Sequence, residues 1–376
     1  MQHNSLLVPV VTGDHADLTA ALDSVTATHP KITLNQLVTL CIEKEASDIH
    51  FREGGRAALR VDGKIVLIEN ADILSSEEVH GMIKEMLLSE DEQRRLERVR
   101  EIDCSYVHES GVSFRVNVFY QRGHLAAVMR MISKHLPALD ALAVPAVVKD
   151  LLTLRQGLIL VTGMAGSGKS TTIQAMLEYV NQNFTEHIIT IENPIEHLFD
   201  DQKSIFTQRE IGKDTLTFLN ALQAAVHEDP NIIMLSEISD AEMLDRVLTV
   251  VETGHLVIAS MLTKSAEQTL ERMLLMAPQD QHDIFQRRVS DSLLAILSQG
   301  LADCADHAGR VAVYGLMLNT PDVRNTIRHG SFNQIPTLVQ SGSEEGMISM
   351  QEHAVQLFEK GLITQESVAQ FSEENL

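Results

Sequence analysis

A glycine-rich stretch, LVTGMAGSGKSTT at residues 160–172, carries residue types and a spacing suited to holding phosphate groups. It satisfies the pattern GxxxxGKS/T in full. In such a loop the glycines let backbone N–H groups turn toward phosphate oxygens, the lysine neutralises phosphate charge, and the hydroxyl binds Mg²⁺. The sequence therefore predicts a site for ATP and Mg²⁺, with Ser170 on the metal. The predicted nucleotide contacts are Gly163, Ala165, Gly166, Ser167, Gly168, Lys169, Ser170 and Thr171.

The residues on either side of this loop favour a strand before it and a helix after it. The apolar run GLILVTG ends directly at the loop, and Ile173, Met176, Leu177 and Val180 follow with the spacing of one helix face. A chance glycine-rich turn would not need both flanking elements in register. The context therefore indicates a phosphate-binding loop at a helix N-terminus, where the positive end of the helix dipole also favours anions.

Breaking ATP needs further groups: a carboxylate beside the metal, a base that orients water, and positive charge facing the γ-phosphate. Residues 232–235 predict a buried strand that ends beside Glu237, which is placed as a metal-side carboxylate. The segment IITIENPIEHL predicts a second strand that ends at Glu192 and is followed closely by Glu196. Either acid alone could equally be a solvated residue at a strand end. Two such strands in a chain with this loop favour a hydrolytic site.

Length, charge and cysteine usage limit the classes of function. The chain has 376 residues, enough for two domains, and 52 acidic against 30 basic residues give a formal net charge of -22. No concentrated basic patch offsets this charge, so the sequence predicts no nucleic-acid partner. Cys41, Cys104 and Cys304 lie far apart, which argues against a zinc site or a disulfide framework. No run approaches the ~20 apolar residues of a membrane span, so we expect a cytoplasmic protein that is peripheral to any membrane complex.

Two regions of regular structure flank a passage at residues 133–156 that contains two prolines. In the first region the patterns predict a helix at 33–45, a hairpin in AALRVDGKIVLI, and a helix whose Ser75 and Glu78 have capping-box spacing. The segment VSFRVNVFY alternates apolar and polar residues, as a half-buried strand does. In the second region strand and helix signals alternate as in a parallel sheet flanked by helices, and the C-terminal remainder is predicted to be helical.

Many segments, in one order, resemble the PilT/PilU retraction ATPases within the secretion ATPases of type IV pili and type II secretion. The resemblance covers residues 33–364, nearly the whole chain. It is carried by ASDIHF, RVDGKI, FRVNVFYQR, GLILVTGMAGSGKSTT, HIITIENPIEHL, TQREIGKDTLTF, EDPNIIMLSEISD, ETGHLVIA and TPDVRNTIRHG. Many spaced matches of this kind are far more specific than the glycine-rich loop alone.

The resemblance implies an α/β protein with four parts. These are an N-terminal extension at residues 1–32, a PAS-like domain at 33–138, a RecA-like P-loop ATPase domain at 139–321 and a helical C-terminal region at 322–376. It also implies a homo-hexamer, pure or mixed with a homologous ATPase. Such a ring would act on a platform protein at the inner-membrane base of the pilus.

Residue roles also come from the resemblance, position by position. It implies that Glu196 activates water, that Glu237 is the Walker B acid on the Mg²⁺ side, and that His255 is the first residue of a histidine box. Arg115 and Arg130 match the arginine fingers of the family. Arg115 lies on the polar face of its predicted strand, whereas Arg130 is a lone charge in AAVMRMIS and so requires a partner. Either a phosphate or an acid at a subunit junction would serve.

The chain departs from the family pattern at several polar positions. Asn193 stands where the family has aspartate, Ser239 replaces an arginine, and Leu262 replaces the second histidine of the histidine box. Three further positions, which usually hold Arg, Arg and Asp, are Gln223, His227 and Asn231. These changes remove charges or hydrogen-bond donors while the phosphate loop stays intact. We therefore expect ATP hydrolysis at a reduced rate.

The sequence thus predicts an ATP-binding, ATP-hydrolysing hexameric motor of a type IV pilus that acts in retraction and twitching motility. The alternative is a weakly active or inactive regulatory paralogue that binds ATP and works beside an active retraction ATPase. The net charge of -22 disfavours a nucleic-acid motor. A small-molecule kinase would leave the N-terminal domain and its two arginines without a role. The family element AIRNLIRE appears in altered form, as DVRNTIRH at residues 322–329.

Overall fold

The computed structural model describes residues 32–372 apart from positions 62, 69–70, 88, 133–135 and 307–308. The chain divides into two compact units, Met1–Ser133 and Lys134–Leu376. The predicted N-terminal extension lies outside the described residues, except for Ile32.

In its described residues, the first unit is an antiparallel sheet with three helices. Its elements are α1 (Leu34–Glu43), β1 (Asp48–Arg52), β2 (Ala58–Val61), β3 (Lys64–Leu67), α2 (Ser76–Met86), α3 (Glu90–Val99), β4 (Glu101–Val107), β5 (Ser113–Gln121) and β6 (His124–Ile132). Each helix begins at a capping box, and the predicted pair Ser75 and Glu78 forms the box of α2. The strands pair in the order β3-β2-β1-β6-β5-β4, always antiparallel. The predicted hairpin is β2 and β3.

The two faces of this first sheet differ in polarity. Phe114, Val116 and Val118 are fully buried on β5, which confirms the predicted alternation. The opposite face carries a row of four charged residues that are direct cross-strand neighbours on β2, β1, β6 and β5. In that order they are Arg60, Asp48, Arg130 and Arg115. We call them the charged row.

The second unit is a seven-stranded sheet flanked by helices. Its strands are β7 (Gly157–Thr162), β8 (His187–Glu192), β9 (Ile205–Glu210), β10 (Ile232–Leu235), β11 (Leu256–Met261), β12 (Leu293–Asp303) and β13 (Arg310–Leu318). Its helices are α4 (Val147–Leu151), α5 (Lys169–Asn183), α6 (Phe218–Ala225), α7 (Ala241–Glu252), α8 (Ala266–Met276), α9 (His282–Ser292), α10 (Pro321–Arg328), α11 (Ile335–Ser341), α12 (Met350–Glu359) and α13 (Gln365–Ala369).

The strands of the second sheet follow the order β13-β12-β7-β11-β10-β8-β9. Every neighbouring pair is parallel except β12 and β13. The parallel sheet predicted from alternating strand and helix signals is therefore present. The sheet differs from the predicted all-parallel arrangement only at β13, which pairs with β12 as an antiparallel edge strand.

The core of the second unit lies on both faces of its sheet. The central strands β7, β10 and β11 are buried along their whole length, because helices cover parallel strands on both sides. Successive residues of β7, Leu158 and Ile159, belong to two separate apolar clusters. The C-terminal helices cover the β12 and β13 end of the sheet, where Met350 and Phe371 pack with Ala302 and Val313. Among the described residues, no helix combines the length and the apolar character needed to cross a membrane.

Candidate nucleotide site

Four neighbouring parallel strands end at one edge of the second sheet. β7 leads into the phosphate loop, β11 ends before Leu262, β10 ends before Ser236 and Glu237, and β8 ends at Glu192 ahead of Glu196. In open α/β sheets, ligands bind outside the carboxyl ends of the strands. The topology therefore brings the phosphate loop, Glu237 and Glu196 to the same edge.

The phosphate loop is shaped by two glycines that lie against β12. Gly168 precedes α5 with φ 87°, in the left-handed region that favours glycine. A Cβ on Gly168 would lie 2.8 Å from Gln299 Nε2, and one on Gly163 would collide with the Gln299 carbonyl oxygen. Larger residues at either position would push the loop off the strand. These two glycines are needed for this close approach.

The loop and the first turn of α5 present an open surface. Ala165, Gly166, Ser170 and Thr171 are exposed, and Lys169 is half-buried. The 15-residue helix α5 points its N-terminus at this surface, and unpaired N–H groups at a helix N-terminus attract anions. The residues present therefore fit the phosphates of a nucleotide.

Lys169 links the loop to the two acids. Its Nζ donates hydrogen bonds to the carbonyl oxygens of Gly163, at 2.8 Å, and Met164, at 3.0 Å. Burial lowers the pKa of Lys169, and the negative charges of Glu237 and Glu196 oppose that shift. Both acids therefore act on the charge of this ammonium group. The structure brings these three predicted site residues together.

Gln299 is a residue of the site that sequence reasoning missed. It lies at the loop edge of β12, directly after Ser298, which is the register partner of Thr162. Its Nε2 donates a 2.8 Å hydrogen bond to the Ser167 carbonyl oxygen inside the phosphate loop. Both side chains are buried, and Gln299 Oε1 and Ser167 Oγ have no hydrogen-bond partner among the described atoms. The signal in the sequence is a glutamine in the largely apolar segment LLAILSQGL.

Three of the departures from the family pattern lie at this edge. Asn193 is exposed directly after β8, and Leu262 is half-buried directly after β11. Ser239 is exposed after β10, and its hydroxyl donates to Asp240 Oδ2 at 3.1 Å. The changes therefore lie where they alter the polar surroundings of the phosphate loop.

The predicted site residue His255 and the departure Asn231 lie at the opposite edge of the sheet. His255 precedes β11, its Nδ1 lies 3.1 Å from the Val250 carbonyl oxygen, and its own carbonyl accepts from Gly157 N at 3.1 Å. Asn231 precedes β10, and its Oδ1 accepts the His187 N–H at 2.8 Å. A six-residue strand spans roughly 20 Å at about 3.3 Å per residue. The structure thus does not bring His255 or Asn231 to this chain's phosphate loop.

The two predicted finger arginines are neighbours within the first unit. Arg115 and Arg130 are cross-strand partners in the charged row. Arg130 Nε donates to Asp48 Oδ1 at 2.8 Å, and Arg60 Nε lies 3.4 Å from Asp48 Oδ2. The acid that Arg130 requires therefore comes from its own chain, rather than from a subunit junction.

Asp48 is buried, whereas the Arg130 side chain is 71 % exposed. Burial is the largest influence on the Asp48 carboxyl and raises its pKa. Hydrogen bonds from Ser47 and Arg130 and the charge of Arg130 together outweigh it, so the pKa of Asp48 lies below its ordinary value. Asp48 therefore stays ionised and holds the base of the Arg130 guanidinium while the rest of that group faces outward.

Fold and site together define a class of protein. A phosphate loop joins a buried strand to a helix, and acids follow two neighbouring strands at the same edge of the sheet. This is the arrangement of a RecA-like P-loop ATPase.

Comparisons with known proteins identify the family. The family model for "Type II/IV secretion system protein" matches residues 25–370. The chain is 37% identical over 335 residues to the type IV pilus retraction ATPase PilT of Pseudomonas aeruginosa, covering 89% of this chain and 96% of that protein. It is 34% identical over 333 residues to the type IV pilus ATPase PilU of the same organism, covering 88% and 86%. The protein belongs to the type II/IV secretion family and is a PilT/PilU-type retraction ATPase within it.

A solved structure supports the same assignment. The pilus retraction motor PilT with bound ADP matches with a TM-score of 0.84 and 36% identity, covering 91% of this chain and 98% of that one. The predicted fold class and family are therefore confirmed. ADP in a relative with this fold also supports the predicted binding of adenine nucleotides.

Proposed function

We propose that the protein is an ATP-hydrolysing motor of a type IV pilus that drives retraction and twitching motility. The observation that carries the proposal is the joint placement of Lys169, Glu237 and Glu196 at the carboxyl edge of the second sheet. These groups supply positive charge for the phosphates, a carboxylate for the metal and a base for water. Relatives named for pilus retraction support the assignment of this motor to a type IV pilus.

The chain's own residues divide the work at this edge. The N–H groups of the loop and of Ser170 and Thr171 bind phosphate oxygens, and Lys169 exchanges its two carbonyl acceptors for phosphate oxygens. Glu196 orients the attacking water and accepts its proton. The Ser170 hydroxyl and Glu237 would hold Mg²⁺, which would neutralise the developing phosphate charge. Oxygen donors of this kind fit that cation, which takes one or two protein ligands beside the phosphates.

Arg115 and Arg130 complete the proposal by acting on the nucleotide of a neighbouring subunit in a hexamer. In the charged row Arg60 and Arg130 lie on either side of Asp48. Arg115 lies beyond Arg130 as its cross-strand neighbour, and Arg130 is largely exposed. Like charges directly opposite across strands are unfavourable, and an incoming phosphate relieves that repulsion. The arrangement therefore suits an anion supplied from outside this unit.

ATP turnover by the purified protein tests the proposal. We expect Mg²⁺-dependent hydrolysis, slower than in a family member with the full polar surround, because Asn193, Ser239 and Leu262 lack charge or donors. Lys169→Ala removes the phosphate ligand and should abolish ATP binding, whereas the exposed Lys203→Ala should not. Hydrolysis absent alone and restored only by an active homologue would instead establish the regulatory paralogue. ATP affinity equal in Lys169→Ala and wild type would reject the site.

The assembled state tests the arginines. Light scattering at micromolar concentration should show hexamers, more of them with ATP, because each site would need groups from two chains. Arg115→Ala and Arg130→Ala should lose turnover yet keep ATP binding in isolated subunits, while Arg98→Ala on the exposed face of α3 should behave as wild type. Arginine fingers contribute roughly 10³–10⁵ in rate in other systems. Full turnover by either variant in assembled rings would remove that residue from the proposal.

The place of action follows from the same proposal. The motor would work at the cytoplasmic face of the inner membrane, beneath a platform protein of the pilus, alone or in a ring mixed with a homologous ATPase. Co-purification from membranes that contain or lack the platform protein tests this. Equal recovery from both membranes would speak against the platform partner.

A further inference from the structure

Two buried carboxyl groups lie at the ends of β8 and β9, beside the loop that carries Glu196. Glu192 ends β8 and is 3 % exposed, and Glu210 ends β9 and is 4 % exposed. The two residues are register partners in adjacent parallel strands. Burying a carboxyl group is costly unless hydrogen bonds compensate, and two such groups side by side double that cost. Their surroundings therefore indicate what they hold.

Each carboxyl group binds one of two consecutive loop amides. The Glu196 N–H donates to Glu192 Oε2 at 3.3 Å, and the Ile195 N–H donates to Glu210 Oε2 at 3.3 Å. From this geometry we propose that Glu192 and Glu210 are positioning residues that fix the Glu196 backbone, and so its side chain, toward the attacking water. The inference rests on the proposed role of Glu196.

A second layer holds Glu192 itself. The Thr190 hydroxyl donates to Glu192 Oε1 at 2.7 Å, and Gln208 Nε2 lies 3.3 Å from the same oxygen. Gln208 Nε2 also donates to the His197 carbonyl oxygen at 2.7 Å, one residue beyond Glu196. The loop is therefore held on both sides of Glu196 by one network. An ionised Glu192 accepts strongly on both oxygens, whereas a protonated carboxyl group is a weaker acceptor and carries a proton on one oxygen that it must itself donate.

The network gives hydrolysis a dependence on pH. Burial raises the pKa of Glu192 to about 7, and the negative charge of Glu196 adds to this shift. As pH falls through this value, Glu192 takes up a proton and its hydrogen bond with the loop amide weakens. The rate should therefore fall on the acid side of neutrality. The titratable groups on the strands and loops beside Glu192 include Glu196, His197, Glu210, Asp214 and Glu237.

Replacing each glutamate with glutamine tests the proposal. Glu192→Gln and Glu210→Gln keep the shape but lose one acceptor, so the loop loosens without contact between the changed residue and the nucleotide. A displacement of about 1 Å costs up to ~10²-fold in rate, so kcat in assembled rings should fall about 10- to 100-fold. The KM for ATP should change less than threefold. Glu228→Gln, which removes a surface partner of Arg209, serves as the matched control and should keep kcat within twofold.

The pH profile separates positioning from general weakening of the fold. Wild type should show an acid limb in kcat near pH 7, and Glu192→Gln should lack it. Glu192→Asp, which keeps the charge on a shorter arm, should retain the limb at a lower kcat. A Glu192→Gln variant with wild-type kcat, or with the acid limb intact, would overturn the role of Glu192.

Amide hydrogen exchange supplies a readout that needs no turnover. The Ile195 amide should exchange at least tenfold faster in Glu210→Gln than in wild type. The Glu196 amide should do the same in Glu192→Gln, while the exchange rates of the β11 amides should stay unchanged. Unchanged exchange at both loop amides in folded variants would reject the positioning role. If wild type proves unable to hydrolyse ATP, the proposed function fails, and the exchange data still decide whether the carboxyl groups hold the loop.

Discussion

Replacing Gln299 with alanine probes whether β12 keeps the phosphate loop in its binding shape. The change removes the 2.8 Å hydrogen bond from Nε2 to the buried Ser167 carbonyl oxygen. Leaving a buried polar group without its partner costs about 1–3 kcal/mol. If the loop relaxes to satisfy that carbonyl, the same free energy is needed to restore its shape when ATP binds. Because 1.4 kcal/mol is tenfold in affinity, the Kd for ATP should rise about 5- to 150-fold.

Calorimetric titration with a slowly hydrolysed ATP analogue at fixed Mg²⁺ measures this effect. Gln299→Leu fills most of the same space without a donor, so it should weaken binding about as much as Gln299→Ala. Gln351→Ala, an exposed position on α12, is the control and should bind as wild type does. A Kd within twofold of wild type for both Gln299 variants would refute the reasoning. Recovery in the leucine variant alone would show that packing, rather than the hydrogen bond, supports the loop.

Three further outcomes follow from other parts of the molecule. Restoring Asn193→Asp, Ser239→Arg and Leu262→His together should raise kcat by roughly tenfold, more than the three single changes combined, if ~1.4 kcal/mol of barrier is recovered. An unchanged rate would mean that these positions do not limit the chemistry. Asp48→Asn should lower the melting temperature at pH 7. Because the folded-state pKa of Asp48 is depressed, this deficit should shrink as pH falls through that pKa, and a constant deficit would contradict the ion pairs. The pKa of Glu192 is raised instead, to about 7, so its contribution to stability is lost as pH rises from about 4.5 toward 7. The melting temperature of Glu192→Gln relative to wild type should therefore be higher at pH 8 than at pH 5, by differential scanning calorimetry.

The parts of the fold that depend on local sequence were predictable. Capping boxes, the alternation on β5 and the apolar run before the phosphate loop are set by residues within one or two turns of each other. The places of Glu237 and Glu196 were also predictable, because each lies within a few residues of the end of an apolar strand. Local patterns of this kind specify where an element lies along the chain and which residues end it.

Contacts between distant segments were not predictable in the same way. Gln299 reaches Ser167 across 132 residues, and Asp48 meets Arg130 across 82. The direction of β13 leaves no local signal either. His255 is a different case: it stands before its strand, whereas Glu237 stands after a parallel one, so sheet topology alone separates them. The family motif specifies residue types and their order, but it does not specify the end of the strand at which His255 lies.

The packing of the C-terminal helices on β12 limits how far the chain can be truncated at its C-terminus. Gly300 follows Gln299 directly, and a Cβ there would lie 2.5 Å from Phe371. Phe371 is buried with Met350 and Ile363 against the same strand. Removing the final helix would uncover the strand immediately beside the residue that supports the phosphate loop. The C-terminal helices are thus part of the structure that supports the nucleotide site. A shortened protein that kept every nucleotide motif but lacked these helices would bind ATP poorly.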